Sequence, residues 1–551
     1  MRYLKTTSAL PLIGLLLLAF GACTDLTETV YDEVTEENFN PTESDLGSLV
    51  APAYTELADM YMGWYGWVDV AQEEPADVLV TPERVNGWWD GGVYFRQHQH
   101  SWGLDSWTFL HTWSSVFSSI NNANRVIYQI ESGIIPIEDE SVKTAIVAEL
   151  RALRAYDYSV LLDNFRNVAI VTDFTSEELP QQSTGQQVFD FVVSELTEVI
   201  PILSEETGVE MYGRINRWVA EAILARVYLN AEVYTGTAQY DQVIPLTESI
   251  RNSGNYALDP SYRTPFSVAA GPLDGGQSNE VMWAVPYDQV YLNDSNFHMK
   301  TLKPELRFVF SMSAQPWGGS AANPQFMDTY DLDDTRKQDS WLMGPQFTPD
   351  GEFGYDFAQH IPQFRGKNEF HFGFPVWKYE IYAGQTGASN VDYPIVRYAE
   401  VLMMEAEALL RTGLADQAAA LVTQVRERAF AATDPAKATV TGAELLQGSS
   451  YLYGWYDTDG SVKTGPGGTP VTATTGGAYG GADIQYGRFL DELGWEFAVE
   501  GHRRQQLIRF GVFSTKAWYN HEADGSTHLR IYPIPQSAID ANPNLKQNLG
   551  Y

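Results

Sequence analysis

Residues 394–428 carry two amphipathic segments back to back, and this pairing constrains the fold more than any other stretch of the 551-residue chain. Across residues 394–411 the apolar positions Ile395, Ala399, Leu402, Met403, Ala406, Leu409 and Leu410 recur at the spacing that places them on one helical face. Pro394 suits a first turn, where its missing N–H costs nothing, and Gly413 suits a stop. A second helix is expected at once over 416–428, with Ala419, Leu421, Val422 and Val425 turned inward. Residues 217–232 repeat the pattern, with Trp218, Ala222, Ala225 and Leu229 on one stripe. Tyr234, Gly236 and a new helix start near Tyr240 follow. Further helices are expected over 109–131, 141–162 and 186–203, which makes the chain mostly α.

Helix–Gly–helix pairs with alanine at the crossing points are similar to tetratricopeptide units, in which small residues let neighbouring helices approach. The spacing is irregular, so each pair taken alone also fits an ordinary helical hairpin. Between the helices lie three long, poorly periodic stretches, at about 61–107, 255–374 and 451–486. The third is rich in Gly and Thr, while the first two carry many of the 15 Trp, 31 Tyr and 26 Phe. Disordered segments are poor in aromatics, so ordered loops on a helical scaffold are expected.

The N-terminus reads as an address. Arg2 and Lys5 precede an apolar run from Leu10 to Phe20, then Gly21, Ala22 and Cys23. That order fits a secretory leader over 1–22, too short to span a bilayer as a folded helix. Cys23 is the single cysteine, so it has no internal disulfide partner, and its position is that of a lipoprotein acylation site. Acyl chains anchor firmly when there is more than one of them. Residues 23–45, with Asp25, Glu28, Asp32, Glu33, Glu36 and Glu37, read as a solvated tether to one domain over 46–551. A formal net charge of −36 excludes the basic surface that nucleic acid requires.

A succession of short motifs, in order along the chain, carries a family resemblance. After Cys23 come Asp25-Leu26, then Glu74-Pro75-Ala76-Asp77 through Pro82 and Arg84, then Trp88-Trp89-Asp90-Gly91-Gly92 and His100-Ser101-Trp102. Gly213-Arg214-Ile215-Asn216 leads into Ala222 to Leu229, and Pro394 to Leu402 leads into Ala406-Glu407-Ala408. Glu492 to Phe497 continues through Glu500-Gly501-His502-Arg503-Arg504 to Gly511, and the end carries Tyr532-Pro533-Ile534-Pro535 and Asn542 to Asn548. Together these make the chain resemble the SusD/RagB family of outer-membrane glycan-binding lipoproteins. The resemblance implies a mostly helical, tetratricopeptide-like scaffold with a loop-rich binding half and no enzymatic activity. It also implies a partner, a SusC-like TonB-dependent outer-membrane transporter that the protein covers as a lid on the extracellular face. The implied ligand is an oligosaccharide or polysaccharide. Peptide or another nutrient is the alternative cargo, and a surface glycoside hydrolase is the more remote alternative.

By the same resemblance the ring platform falls on Trp88, with Asp77 and Arg84 placed to grip hydroxyls or to shape the loop as an ion pair. Gly91 and Gly92 would expose the Trp88 ring, and its neighbour Trp89 reads as the buried member of the pair. Trp317, beside Gly318 and Gly319, repeats the combination of an aromatic with pliant backbone. Phe297 and Tyr291 are weaker candidates. An indole face covers the C–H face of a sugar ring, while Asp, Asn and Arg meet the hydroxyl edge. No catalytic carboxylate pair stands out, and no cofactor or metal is expected. His98, His100 and His111 cluster in sequence but read as hydrogen-bonded loop histidines. Asp331, Asp333 and Asp334 lack the glycine and terminal glutamate of a calcium loop, and Asp334 reads as a charge pair with Arg336; structural calcium elsewhere stays open.

Overall fold

The computed structural model describes residues 46–62, 66–104, 106–288, 290–456, 463–465, 468–472 and 474–551. The expected leader, Cys23 and the tether lie outside the described residues. The first helices are α1 (Leu46–Met62), α2 (Trp107–Glu131), α3 (Glu140–Phe165), α4 (Gly185–Val199), α5 (Arg217–Leu229) and α6 (Tyr240–Ser253). Later come α7 (Tyr398–Arg411), α8 (Ala415–Phe430), α9 (Gly487–Phe497) and α10 (Arg503–Arg509). Local chemistry sets their ends. Asp139 accepts from the backbone N–H of Ser141 and Val142 to start α3, and Thr184 with Gln187 forms a capping box on α4. The helix expected over 217–232 breaks at Asn230, whose φ/ψ of −97/5 separates α5 from a short helix, Ala231–Thr235.

The helices pack as neighbours in chain order: α1 on α2, α2 on α3, α3 on α4, then α5 on α6, α6 on α7 and α7 on α8. Small residues make this possible. Ala152 and Ala155 on α3, Ala220, Ala222 and Ala225 on α5, and Ala406 and Ala408 on α7 are all buried. One continuous core runs from Val50 to Leu545, so helices and aromatic loops share it. No helix of the described residues is long and apolar enough to cross a membrane.

One expected boundary is wrong. Residues 394–397 are not the first turn of a helix; they belong to a strand, Tyr393–Arg397, and α7 begins at Tyr398. The strand pairs antiparallel with Val281–Val285, with Ala284 opposite Pro394 and Val281 opposite Arg397. All five of its residues are buried. A short apolar run buried on both faces reads alike as strand or helix, and β-branched Ile395 and Val396 tip the balance toward strand.

Behind this strand lies a buried charge network. Glu492 and Glu496 sit one turn apart on α9, and Glu500 follows at the same interval. The Arg397 guanidinium reaches Glu280 at 2.7 Å, Glu496 at 2.8 Å and Glu500 at 2.6 Å. Arg336 meets Glu492 at 2.7 Å and Glu496 at 3.1 Å, and Arg426 meets Glu492 at 2.6 Å. Burial opposes ionisation of these carboxyls, but the surrounding guanidinium groups outweigh it and hold Glu492 down at about 2. Glu496 is held lower still by Arg428, Arg397 and Arg336.

Candidate functional site

A two-residue ladder assembles the loop half. Leu79–Val80 pairs antiparallel with Ala321–Ala322, Leu79 opposite Ala322 and Val80 opposite Ala321. Residues 81–92 leave one strand and residues 316–320 enter the other, so the ladder brings two aromatic–glycine motifs together from opposite ends of a long sequence gap. Trp88 and Trp317 meet edge to face, with ring centroids 6.3 Å apart and planes at 81°. Each keeps part of its surface exposed. The pair forms a corner of two nearly perpendicular indoles.

The backbone beneath that corner is clamped. Arg84, fully buried, donates from Nε and Nη2 to the Gly319 carbonyl at 3.1 and 2.8 Å, and from Nη1 to the Phe372 carbonyl at 2.9 Å and the Glu369 carbonyl at 3.3 Å. Burial without a carboxylate partner pulls its pKa down to about 10, which leaves it charged at neutral pH. Buried Lys303 donates to the adjacent Ser320 carbonyl at 3.1 Å. Gly319 has no room for a side chain: a Cβ there would lie 2.4 Å from Cζ3 of Trp88. Gly92 holds φ +77 and its Cβ would lie 2.9 Å from Cζ2 of Trp89. Behind Trp88, Tyr94 meets its ring edge at 6.3 Å, and the Lys300 ammonium sits 3.8 Å over Tyr94 while pairing with Glu74 at 3.1 Å.

The other residues singled out from the sequence are placed differently. Asp77 is fully buried and pairs with Arg503 at 2.6 Å, with Tyr453 donating to it at 2.9 Å; it does not pair with Arg84. Neither Asp77 nor Arg84 presents its charge at the surface, so in this structure both shape the loops and neither grips a ligand hydroxyl directly. Phe297 is buried against Tyr379 and is no exposed platform. Tyr291 is exposed. Trp89 is half-buried like its neighbour and does not pack as the buried member; it lies beside Phe95, with the Arg365 guanidinium 5.2 Å from its ring. Asp334 does pair with Arg336, at 2.7 Å, and Asp331 and Asp333 both bind Lys437.

The sequence reading missed a third aromatic element. A hairpin of Gln346–Phe347 and Phe353–Tyr355 exposes Phe347 and Phe353, whose rings meet edge to face at 6.1 Å. Tyr355 packs on the same small core, around Leu302, Leu306 and Met312, that seats Trp317. The signal was present in Gly351-Glu352-Phe353-Gly354-Tyr355, the same glycine–aromatic texture that marked Trp317.

Fold and seam define a class: a helical-repeat scaffold that presents an aromatic surface built by loops. Two family models match the chain, one described as the SusD family over residues 363–551 and one described as starch-binding, associating with the outer membrane, over residues 32–229. The chain belongs to the SusD family. The starch-binding protein SusD of Bacteroides thetaiotaomicron is 23% identical over 463 residues, which span 73% of this chain and 72% of that one. A crystal structure of a SusD-like protein from Bacteroides fragilis superposes with a TM-score of 0.68 at 18% identity, covering 94% of this chain and 99% of that one. The surface glycan-binding protein A of Bacteroides thetaiotaomicron, in complex with laminarihexaose, superposes with a TM-score of 0.64 at 19% identity, covering 92% of this chain and 100% of that one.

Proposed function

We propose that this chain captures an oligosaccharide or polysaccharide at the outer face of the outer membrane and does no chemistry on it. The Trp88–Trp317 corner carries the reading. Two perpendicular indoles held over a clamped backbone can cover the C–H face of one sugar ring and bracket its neighbour. The family supports a glycan as ligand, since one relative is named for starch binding and one structural neighbour holds laminarihexaose. Anchoring would come from acyl chains on Cys23, with residues 23–45 as the tether and residues 46–551 as one domain. Delivery would pass to a SusC-like TonB-dependent transporter beneath it.

Magnitudes fit capture by several weak contacts. Stacking of about 0.5–1.5 kcal/mol per ring gives roughly 1.5–4.5 kcal/mol for three rings, by analogy with aromatic pairs. A millimolar Kd corresponds to about 4.1 kcal/mol. Short sugars would bind weakly, and longer ones that also reach Phe347 and Phe353 would bind better. The test is parallel screening of the full-length chain on glycan and peptide arrays, with product release monitored in the same samples. Selective retention of one glycan class without turnover is the expected result. Peptide retention with silent glycans would replace the cargo, and sustained release of cleaved sugar would replace the class.

A further inference from the structure

Beneath the loop that carries Trp88, two histidines and a carboxylate converge in a way that hydrogen bonding within the chain does not explain. Helix Val93–His98 follows the Trp88 motif, and His100 comes two residues after it. Nε2 of His100 lies 2.8 Å from the Pro75 carbonyl, which only accepts, so Nε2 carries the proton and Nδ1 is a bare lone pair. Yet Nδ1 faces a carboxylate oxygen of Asp524 at 3.0 Å, one acceptor against another. His521 repeats the logic. Its Nδ1 lies 2.9 Å from the His98 carbonyl and must donate there, which leaves Nε2 bare. That Nε2 is buried and has no hydrogen-bond partner among the described residues.

One nitrogen from each of His100 and His521 and one oxygen of Asp524 all lie within 4.8 Å of one another. The two imidazole rings sit 4.2 Å apart, with Phe513 stacked on His100 at 4.1 Å and Trp518 on His521 at 3.8 Å. The other oxygen of Asp524 accepts from the Ser526 N–H, which fixes the carboxylate. A proton between His100 and Asp524 would satisfy those two alone and leave His521 Nε2 orphaned in the interior. A divalent cation satisfies all three lone pairs. Both imidazoles already hold the outer hydrogen bond, ring N–H to backbone carbonyl, that orients metal-bound histidine.

We propose that His100, His521 and Asp524 form a binding site for a divalent transition metal of the zinc type, with water completing the coordination. Two nitrogens and one carboxylate oxygen suit Zn(II) over the hard cations, which prefer all-oxygen sites. His98 is not a ligand, because carbonyls of Tyr519 and Glu74 lie against both of its nitrogens, and His111 pairs elsewhere with Asp59. The ion would pin residues 518–524 to the segment behind the Trp88 platform, so its role is to hold the platform in place.

The test uses the full-length chain, stripped with chelator and titrated with Co(II) and Zn(II), beside Asp524→Asn and His521→Gln. The expected result is about one metal per chain, a Co(II) visible spectrum of low coordination number and a rise in Tm on loading. Both variants should lose at least tenfold in affinity. Asp524 is partly exposed, so Asp524→Asn folds even if His521→Gln does not. A wild-type chain that takes up no stoichiometric metal overturns the proposal, as does an Asp524→Asn chain that binds as tightly as wild type.

Discussion

At the scale of single residues, the site rests on contacts that permit little substitution. Trp88→Ala should weaken glycan binding between about twofold and tenfold, the equivalent of one stacking contact, with the fold retained by circular dichroism. Gly319→Ala should do the same with both indoles left in the sequence, because its new Cβ must displace the Trp88 ring, and should cost about 1–3 kcal/mol of stability in a denaturant melt. Glu73 offers a pH test. It is buried, its Oε1 accepts from the Gly501 N–H at 2.8 Å and its Oε2 has no hydrogen-bond partner among the described residues; burial pushes its pKa up to about 8. The folded state therefore keeps a proton that the unfolded chain releases above about pH 4.3. Stability is lost as pH rises from there toward 8. Glu73→Gln should raise Tm more at pH 8 than at pH 5. Trp88 was singled out by resemblance and Trp317 by its glycine neighbours, but the glycine that closes on Trp88 is the distant Gly319, which no local pattern announced. The roles of Asp77 and Arg84 were not legible, since their partners, Arg503 and the Gly319 carbonyl, are distant in sequence and no local pattern announces them.

Among elements, α2, α3, α4, α5 and α8 were read nearly to their ends because alanine and leucine at helical spacing, with caps, over-determine them, whereas α1 (Leu46–Met62) was not anticipated. The strand Tyr393–Arg397 was misread because its partner Val281–Val285 lies more than a hundred residues upstream, and a five-residue apolar run carries no period of its own. The spacing of Glu492, Glu496 and Glu500 was visible as a motif, but its purpose depends on cations from four other segments. That ladder is testable. Glu496→Gln removes a buried carboxylate that Arg336, Arg397 and Arg428 share; Glu280, Glu492 and Glu500 still pair with those guanidinium groups, so the cost should be about 1–3 kcal/mol in urea unfolding, more than an exposed glutamate would show.

Over the whole molecule, scaffold and loops melt as the balance of buried charges dictates. Glu492, held at about 2, contributes stability that is present above about pH 4.3 and is lost as pH falls toward 2. Glu73 at about 8 and Asp392, pushed by burial up to about 7, act in the opposite direction as pH rises. A thermal melt series should therefore show maximum stability at about pH 5, declining on both sides. The central claim, however, concerns the indole corner, and calorimetry tests it most directly. The full-length chain is titrated with a panel of plant, fungal and bacterial polysaccharides, beside Trp88→Ala and Trp317→Ala. Binding to one polymer that falls away in both variants is the predicted result. Binding that survives intact in both, with the fold unchanged, would contradict the account and place the ligand elsewhere on the molecule.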